Sequence, residues 1–188
     1  MDNKLKIINY LGKHPEEVFT MRELSQQTNI PYATFHRTLK EMKDLVQTRV
    51  IGKSTTVALK IGNPIMKSYL AIGSEEEKKE FIKKQPFIHK IASELNTKEI
   101  TLLFGSYAKG THKETSDVDL LIIHKGEKSL SFSKYETLFK KKINPLFITK
   151  LEFKKMLKDK EENVGKQALK DHILLNNPEG FWECVLHG

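Results

Sequence analysis

The sequence predicts an α+β protein of two domains, and three observations carry that reading. Residues 1–62 hold three helical patterns followed by two short β-like runs. Residues 100–123 hold two apolar, strand-like runs around a glycine turn. The apolar content of 38% in 188 residues suits two modest cores better than one large one.

The first helix is read at Leu5 to Leu11, with Leu5, Ile8 and Leu11 at helical spacing. Thr20-Met21-Arg22-Glu23 is a capping box that opens a second helix, ending near Asn29. Ile30-Pro31 makes a turn, and Pro31 pre-sets φ for a third helix with Phe35, Leu39, Met42 and Val46 along its apolar stripe. Two strand-like runs follow, Gln47 to Ile51 and Thr56 to Ile61. Gly52-Lys53-Ser54-Thr55 between them reads as a hairpin with a basic tip.

This order, with the phrase IPYATFHRTLKEMKDLV, resembles the winged helix-turn-helix DNA-binding domains over about the first third of the chain. Thr34-Phe35-His36-Arg37 is its most family-like feature. The resemblance implies that the third helix enters the major groove of double-stranded DNA and that the hairpin touches backbone. Tyr32, Ala33, His36, Arg37 and Lys40 fall opposite the apolar stripe, and with Thr34 and Lys53 they are the candidate DNA contacts. Residues 1–62 carry ten Lys and Arg against six Asp and Glu, a net of +4 within a chain total of +8. Such a balance suits a polyanionic partner. A solvated face, or a homodimer contact, is the alternative. His14 and His36 lack metal-ligand spacing with any partner.

Residues 63–87 read as a helical connector. Asn63 is the expected cap for Pro64 to Ala71, and Ser74-Glu75-Glu76-Glu77 the expected cap of a charged helix that Gln85-Pro86 interrupts. Residues 88–188 form the second domain. A helix over Phe87 to Leu95 leads into a strand, Ile100 to Phe104. Gly105-Ser106 is its sharp exit, Tyr107 to Gly110 a short helical turn, and Asp117 to Ile123 the next strand. Residues i and i+2 on a strand share a face, so Asp117 and Asp119 converge while Val118 turns to the core. Two crowded carboxylates repel unless a cation neutralises them, and hard oxygen ligands select Mg²⁺ or Mn²⁺. Gly105 lets a ligand approach the backbone, where free donors suit phosphate. Thr111-His112, where a P-loop requires Lys-Ser/Thr, speaks against a P-loop.

The constellation Gly105, Ser106, Gly110, Ser116, Asp117, Asp119 and Leu120 resembles the nucleotidyltransferase superfamily of DNA polymerase β, specifically the minimal, antitoxin-like nucleotidyltransferase domains, over about residues 88–155. That resemblance implies an α/β domain with a short mixed sheet covered by helices. It also implies transfer of a nucleoside monophosphate from ATP or another nucleoside triphosphate to a hydroxyl. Asp117 and Asp119 would be the catalytic metal ligands, Gly105, Ser106 and Ser116 would bind nucleotide, and Lys109 would neutralise departing pyrophosphate. A small helical toxin protein is the partner suggested by the antitoxin likeness.

The superfamily's third carboxylate belongs on the strand after Asp119, read here as Ile143 to Thr149, which has no acid. Asn144 or Leu146 takes the place, and Glu152 belongs to the capping box Thr149-Lys150-Leu151-Glu152. The alternative to an active enzyme is therefore a regulator with an inactive sensor or dimerisation domain. Helices over Phe153 to Leu157 and Gly165 to Leu175 precede the packing anchors Phe181 and Trp182, and the single Cys184 reads as a small apolar residue. The chain has no apolar run near the roughly 20 residues of a membrane span and no signal-like N-terminus, which predicts a cytoplasmic protein.

Overall fold

The structure, a computed structural model, describes residues 1–126 and 130–187. The fold is mixed α and β, in two compact units, Met1–Gly73 and Ser74–Gly188.

The first unit contains α1 (Asn3–Lys13), β1 (Phe19–Thr20), α2 (Met21–Gln27), α3 (Tyr32–Glu41), β2 (Val46–Ile51) and β3 (Ser54–Leu59). Its antiparallel sheet has the order β1-β3-β2. The capping box at Thr20 is formed in both directions, as its sequence requires. The apolar stripe of α3 misleads at its end: the helix stops at Glu41, and Val46 instead opens β2 opposite Leu59. Met42 and Val46 are nevertheless both buried, so their spacing reports the core and not the helix. The hairpin is tighter than expected. Ile51 pairs with Ser54, leaving Gly52 and Lys53 as a two-residue turn in which Gly52 takes φ +60°.

Helix α4 runs Met66–Ile82, so Ser74 is no helix cap. It is fully buried, and its hydroxyl accepts a hydrogen bond from Trp182 Nε1 at 2.9 Å. The second unit continues with α5 (Pro86–Glu94), β4 (Ile100–Phe104), α6 (Gly105–Lys109), β5 (Val118–His124), α7 (Ser133–Phe139), β6 (Ile143–Thr149), α8 (Lys150–Lys158), α9 (Val164–Lys170), β7 (Ile173–Asn176) and α10 (Pro178–Leu186). The sheet order is β6-β5-β4-β7, with β5 and β6 parallel and the other pairs antiparallel. Phe87, Ile88 and Ile91 of α5, Tyr107 of α6 and Tyr135 of α7 pack with Val118, Leu120 and Ile122 of β5. Helices α8, α9 and α10 also pack on the sheet, where Phe153, Phe181 and Trp182 are fully buried. A helix through Leu175 is not formed: α9 ends at Lys170 and the run Ile173–Asn176 becomes β7 on β4. Cys184 is buried, which raises its thiol pKa. Among the described residues no helix is long and apolar enough to cross a membrane.

Candidate functional site

Strand β4 ends in extended Phe104 and turns at Gly105, which has φ +69°. A Cβ there would stand 2.5 Å from Asp119 Oδ2, so both the backbone angle and the space demand glycine. Helix α6 ends at Gly110, in the left-handed region with φ +71°. The loop back to the sheet closes in a turn at Lys113–Ser116. There the Lys113 N–H donates to Ser116 Oγ at 2.9 Å and the Ser116 N–H donates to Lys113 O at 3.0 Å. The Ser116 hydroxyl, expected at nucleotide, is thus an acceptor within its own loop.

Across the sheet Asp119 lies opposite Phe104 on β4 and opposite Asn144 on β6. Asp117 immediately precedes β5, and Val118 behind it is buried and donates to Lys142 O at 2.9 Å. The two carboxylates converge as alternation requires. Asn144 Nδ2 donates to Asp117 Oδ2 at 3.2 Å and to Asp119 Oδ1 at 3.4 Å, and Lys142 Nζ lies 3.2 Å from the same Asp117 Oδ2. The Asn144 hydrogen bond first, and the Lys142 ammonium second, hold the Asp117 carboxyl below its ordinary pKa.

The other expected residues are distributed as follows. Ser106 is half-buried in the first turn of α6. Lys109 is engaged with Asp171 at the end of α9, Nζ to Oδ2 3.3 Å. Leu146, two residues beyond Asn144 on β6, is partly exposed. Glu152 accepts from the Thr149 N–H and hydroxyl. Thr149 pairs with His124 at the opposite end of β6 from Asn144, five residues or roughly 17 Å along the strand, so the Glu152 capping box stands at the far end of β6 from Asp119. Sequence reasoning missed Lys142. Its signal was the run Lys140-Lys141-Lys142 directly before the strand that carries Asn144.

Two carboxylates within reach of one nitrogen, beside a glycine with no side chain, fit one hard divalent cation. The neighbouring positions hold an amide and an ammonium, and among the described residues no cluster of three His, Cys, Asp or Glu side chains exists. Residues 87–176 match the family model of the nucleotidyltransferase domain. The match runs from α5 through β7 and contains Gly105, Ser106, Asp117, Asp119 and Asn144. Nucleotidyl transfer is therefore the general activity to which this half of the chain is similar. No curated protein and no solved structure gives a significant match.

In the first unit, Tyr32, Ala33, His36, Arg37 and Lys40 are all exposed on α3, opposite buried Phe35 and Leu39. The rings of Tyr32 and His36 lie 6.5 Å apart. Thr34 is half-buried, and its carbonyl accepts from the Thr38 hydroxyl at 2.9 Å. Lys53 is exposed at the hairpin turn. The sequence pattern therefore separates the two faces of α3 correctly.

Proposed function

We propose that the second unit binds a metal-chelated nucleoside triphosphate at Asp117 and Asp119, and that the first unit binds double-stranded DNA as a winged helix. The observation that carries the nucleotide reading is the convergence of both carboxylates on Asn144 Nδ2, beside the glycine turn that opens α6. Asp117 and Asp119 hold the cation, and the backbone at Gly105 with the Ser106 hydroxyl receives phosphate oxygens. Bound Mg²⁺ or Mn²⁺ supplies neutralisation of phosphate charge.

In the transfer reaction an acceptor hydroxyl oxygen bonds to the α-phosphorus, the bond to the bridging oxygen breaks, and pyrophosphate leaves. An amide is no base at neutral pH, so with Asn144 opposite Asp119 the hydroxyl proton passes to water and transfer is slow. The acceptor suggested by the family likeness is a hydroxyl on a small helical partner protein. A second reading is favoured by Asn144 and Lys142 together: a DNA-binding regulator whose second unit senses nucleotide without transferring it. The DNA reading is supported by the order α1-β1-α2-α3-β2-β3 and by the exposed basic and aromatic face of α3.

Isothermal titration with ATP, GTP, CTP and UTP, with and without Mg²⁺, tests the nucleotide reading. Metal-dependent binding lost in Asp117→Asn and Asp119→Asn is expected. Absent binding, or binding indifferent to both substitutions, overturns it. Labelled ATP with candidate acceptors then separates slow transfer from sensing.

A further inference from the structure

The Asp117–Asp119 pair already has partners supplied by the chain itself. Asp117 Oδ2 receives two donors, Lys142 Nζ and Asn144 Nδ2, each at 3.2 Å, and the same Asn144 nitrogen lies 3.4 Å from Asp119 Oδ1. The Asn144 amide therefore turns its NH₂ to both acids, and in this orientation it offers them donors and no metal-ligating oxygen. The site's formal charge is that of two carboxylates and one ammonium, a net of −1. One divalent ion brings it to +1, and a second would bring it to +3 with no further acid to balance it. Lys142 is placed there by the fold: its carbonyl accepts from the Val118 N–H at 2.9 Å, which fixes the residue beside Asp117 where β6 begins.

We infer that Lys142 is a resident cation of the carboxylate site, its ammonium standing where a second metal ion would otherwise sit, so that the site takes a single divalent ion. This deepens the nucleotide reading. Lys142 would compete with a divalent ion for Asp117 Oδ2, and its ammonium, once displaced, would be free to face phosphate oxygen. The Lys142 side chain is 67% exposed, which lets it swing aside without disturbing the core. An exposed ammonium is a modest competitor, because water screens much of its attraction to the carboxylate.

The test uses Mn²⁺ alone on the full chain, followed by electron paramagnetic resonance and calorimetry, so that its outcome does not depend on whether triphosphate binds. Native protein is expected to hold one Mn²⁺. Lys142→Ala should bind it about tenfold more tightly, as removal of a neighbouring positive charge in a water-exposed site allows. Lys142→Arg, which keeps the charge, should stay within about twofold of native. Lys141→Ala, removing an equal charge whose ammonium donates to Glu114 O and not to the acids, should change little. Lys142→Ala combined with Asn144→Asp should admit a second ion. Two ions in the native protein, an affinity unchanged by Lys142→Ala, or no Mn²⁺ in either form overturns the inference. Absent ATP binding with this Mn²⁺ pattern intact would instead overturn the nucleotide reading alone.

Discussion

Replacing Gly105 with alanine probes the junction of fold and site more directly than replacing an acid does. Two costs follow from the structure. The φ of +69° places an L-residue in the left-handed region, at about 1–2 kcal/mol. The new Cβ would also stand 2.5 Å from Asp119 Oδ2 and 3.3 Å from its Cγ, so the carboxylate must leave its position, at about 0.5–1.5 kcal/mol if it adopts an off-rotamer geometry. Together they amount to about 1.5–3.5 kcal/mol. Gly110 is the internal control. Its φ is +71° and nothing lies within 4 Å of its Cβ position, so Gly110→Ala bears the backbone cost only. Urea unfolding followed by the fluorescence of Trp182, the sole tryptophan and fully buried in the same unit, gives both values. Combining Gly105→Ala with Asp119→Ala should recover about 1 kcal/mol, since it removes the crowding and leaves the backbone strain. Equal losses from Gly105→Ala and Gly110→Ala, within about 0.5 kcal/mol, would refute the packing of Asp119 against the glycine turn.

Asn144→Asp, which places a third carboxylate opposite Asp119, should raise transfer from labelled ATP and lower metal-free stability through like-charge repulsion; Leu146→Asp is the parallel test on the same strand face. Vigorous transfer by the native protein that disappears in Glu152→Gln would show the acid to be elsewhere. Lys90, followed by Lys134, holds the Glu94 carboxyl down to about 2 from 4.5, so its contribution to stability is present above pH 4.5 and is lost as pH falls toward 2. Glu94→Gln should flatten the acid limb of the stability profile across that window, and an unchanged limb counts against the ion pairs. Arg37→Ala should relax preference at one base position by about 1–3 kcal/mol, whereas Lys53→Ala should weaken binding to all DNA and flatten its salt dependence. Binding unaltered in both variants removes the DNA reading.

What was legible in the sequence was held in place by neighbours in the sequence. The capping boxes at Thr20 and Thr149, the strands Ile100–Phe104 and Ile143–Thr149, and the positive φ at Gly105 depend on chemistry within a few residues. Errors arose where a distant partner decides. Ser74 looks like a cap until Trp182 is seen to use its hydroxyl, and Ile173–Asn176 continues a helical pattern until β4 recruits it as an edge strand. The ion pair of Lys109 with Asp171 is a further long-range contact with no local signal. The two-residue β1 has no periodicity to detect, since its pairing with β3 is its whole signal.

The site divides along the same line. Alternation alone brings Asp117 and Asp119 to one face, but neither alternation nor composition could choose between Asn144, Leu146 and Glu152 for the third position. The parallel register of β5 and β6 does so: it sets Asn144 against Asp119 and sends Glu152 to the far end of the strand. Because Lys142 precedes that register by two residues, the shift that would bring Leu146 opposite Asp119 would also carry the ammonium away from Asp117. The amide and the ammonium are thus consequences of one strand placement. If the second unit binds nucleotide as proposed, charge-changing substitutions at 142 and 144 separate transfer from binding alone more sharply than removal of either aspartate, because those two positions supply the amide and the ammonium beside the acids.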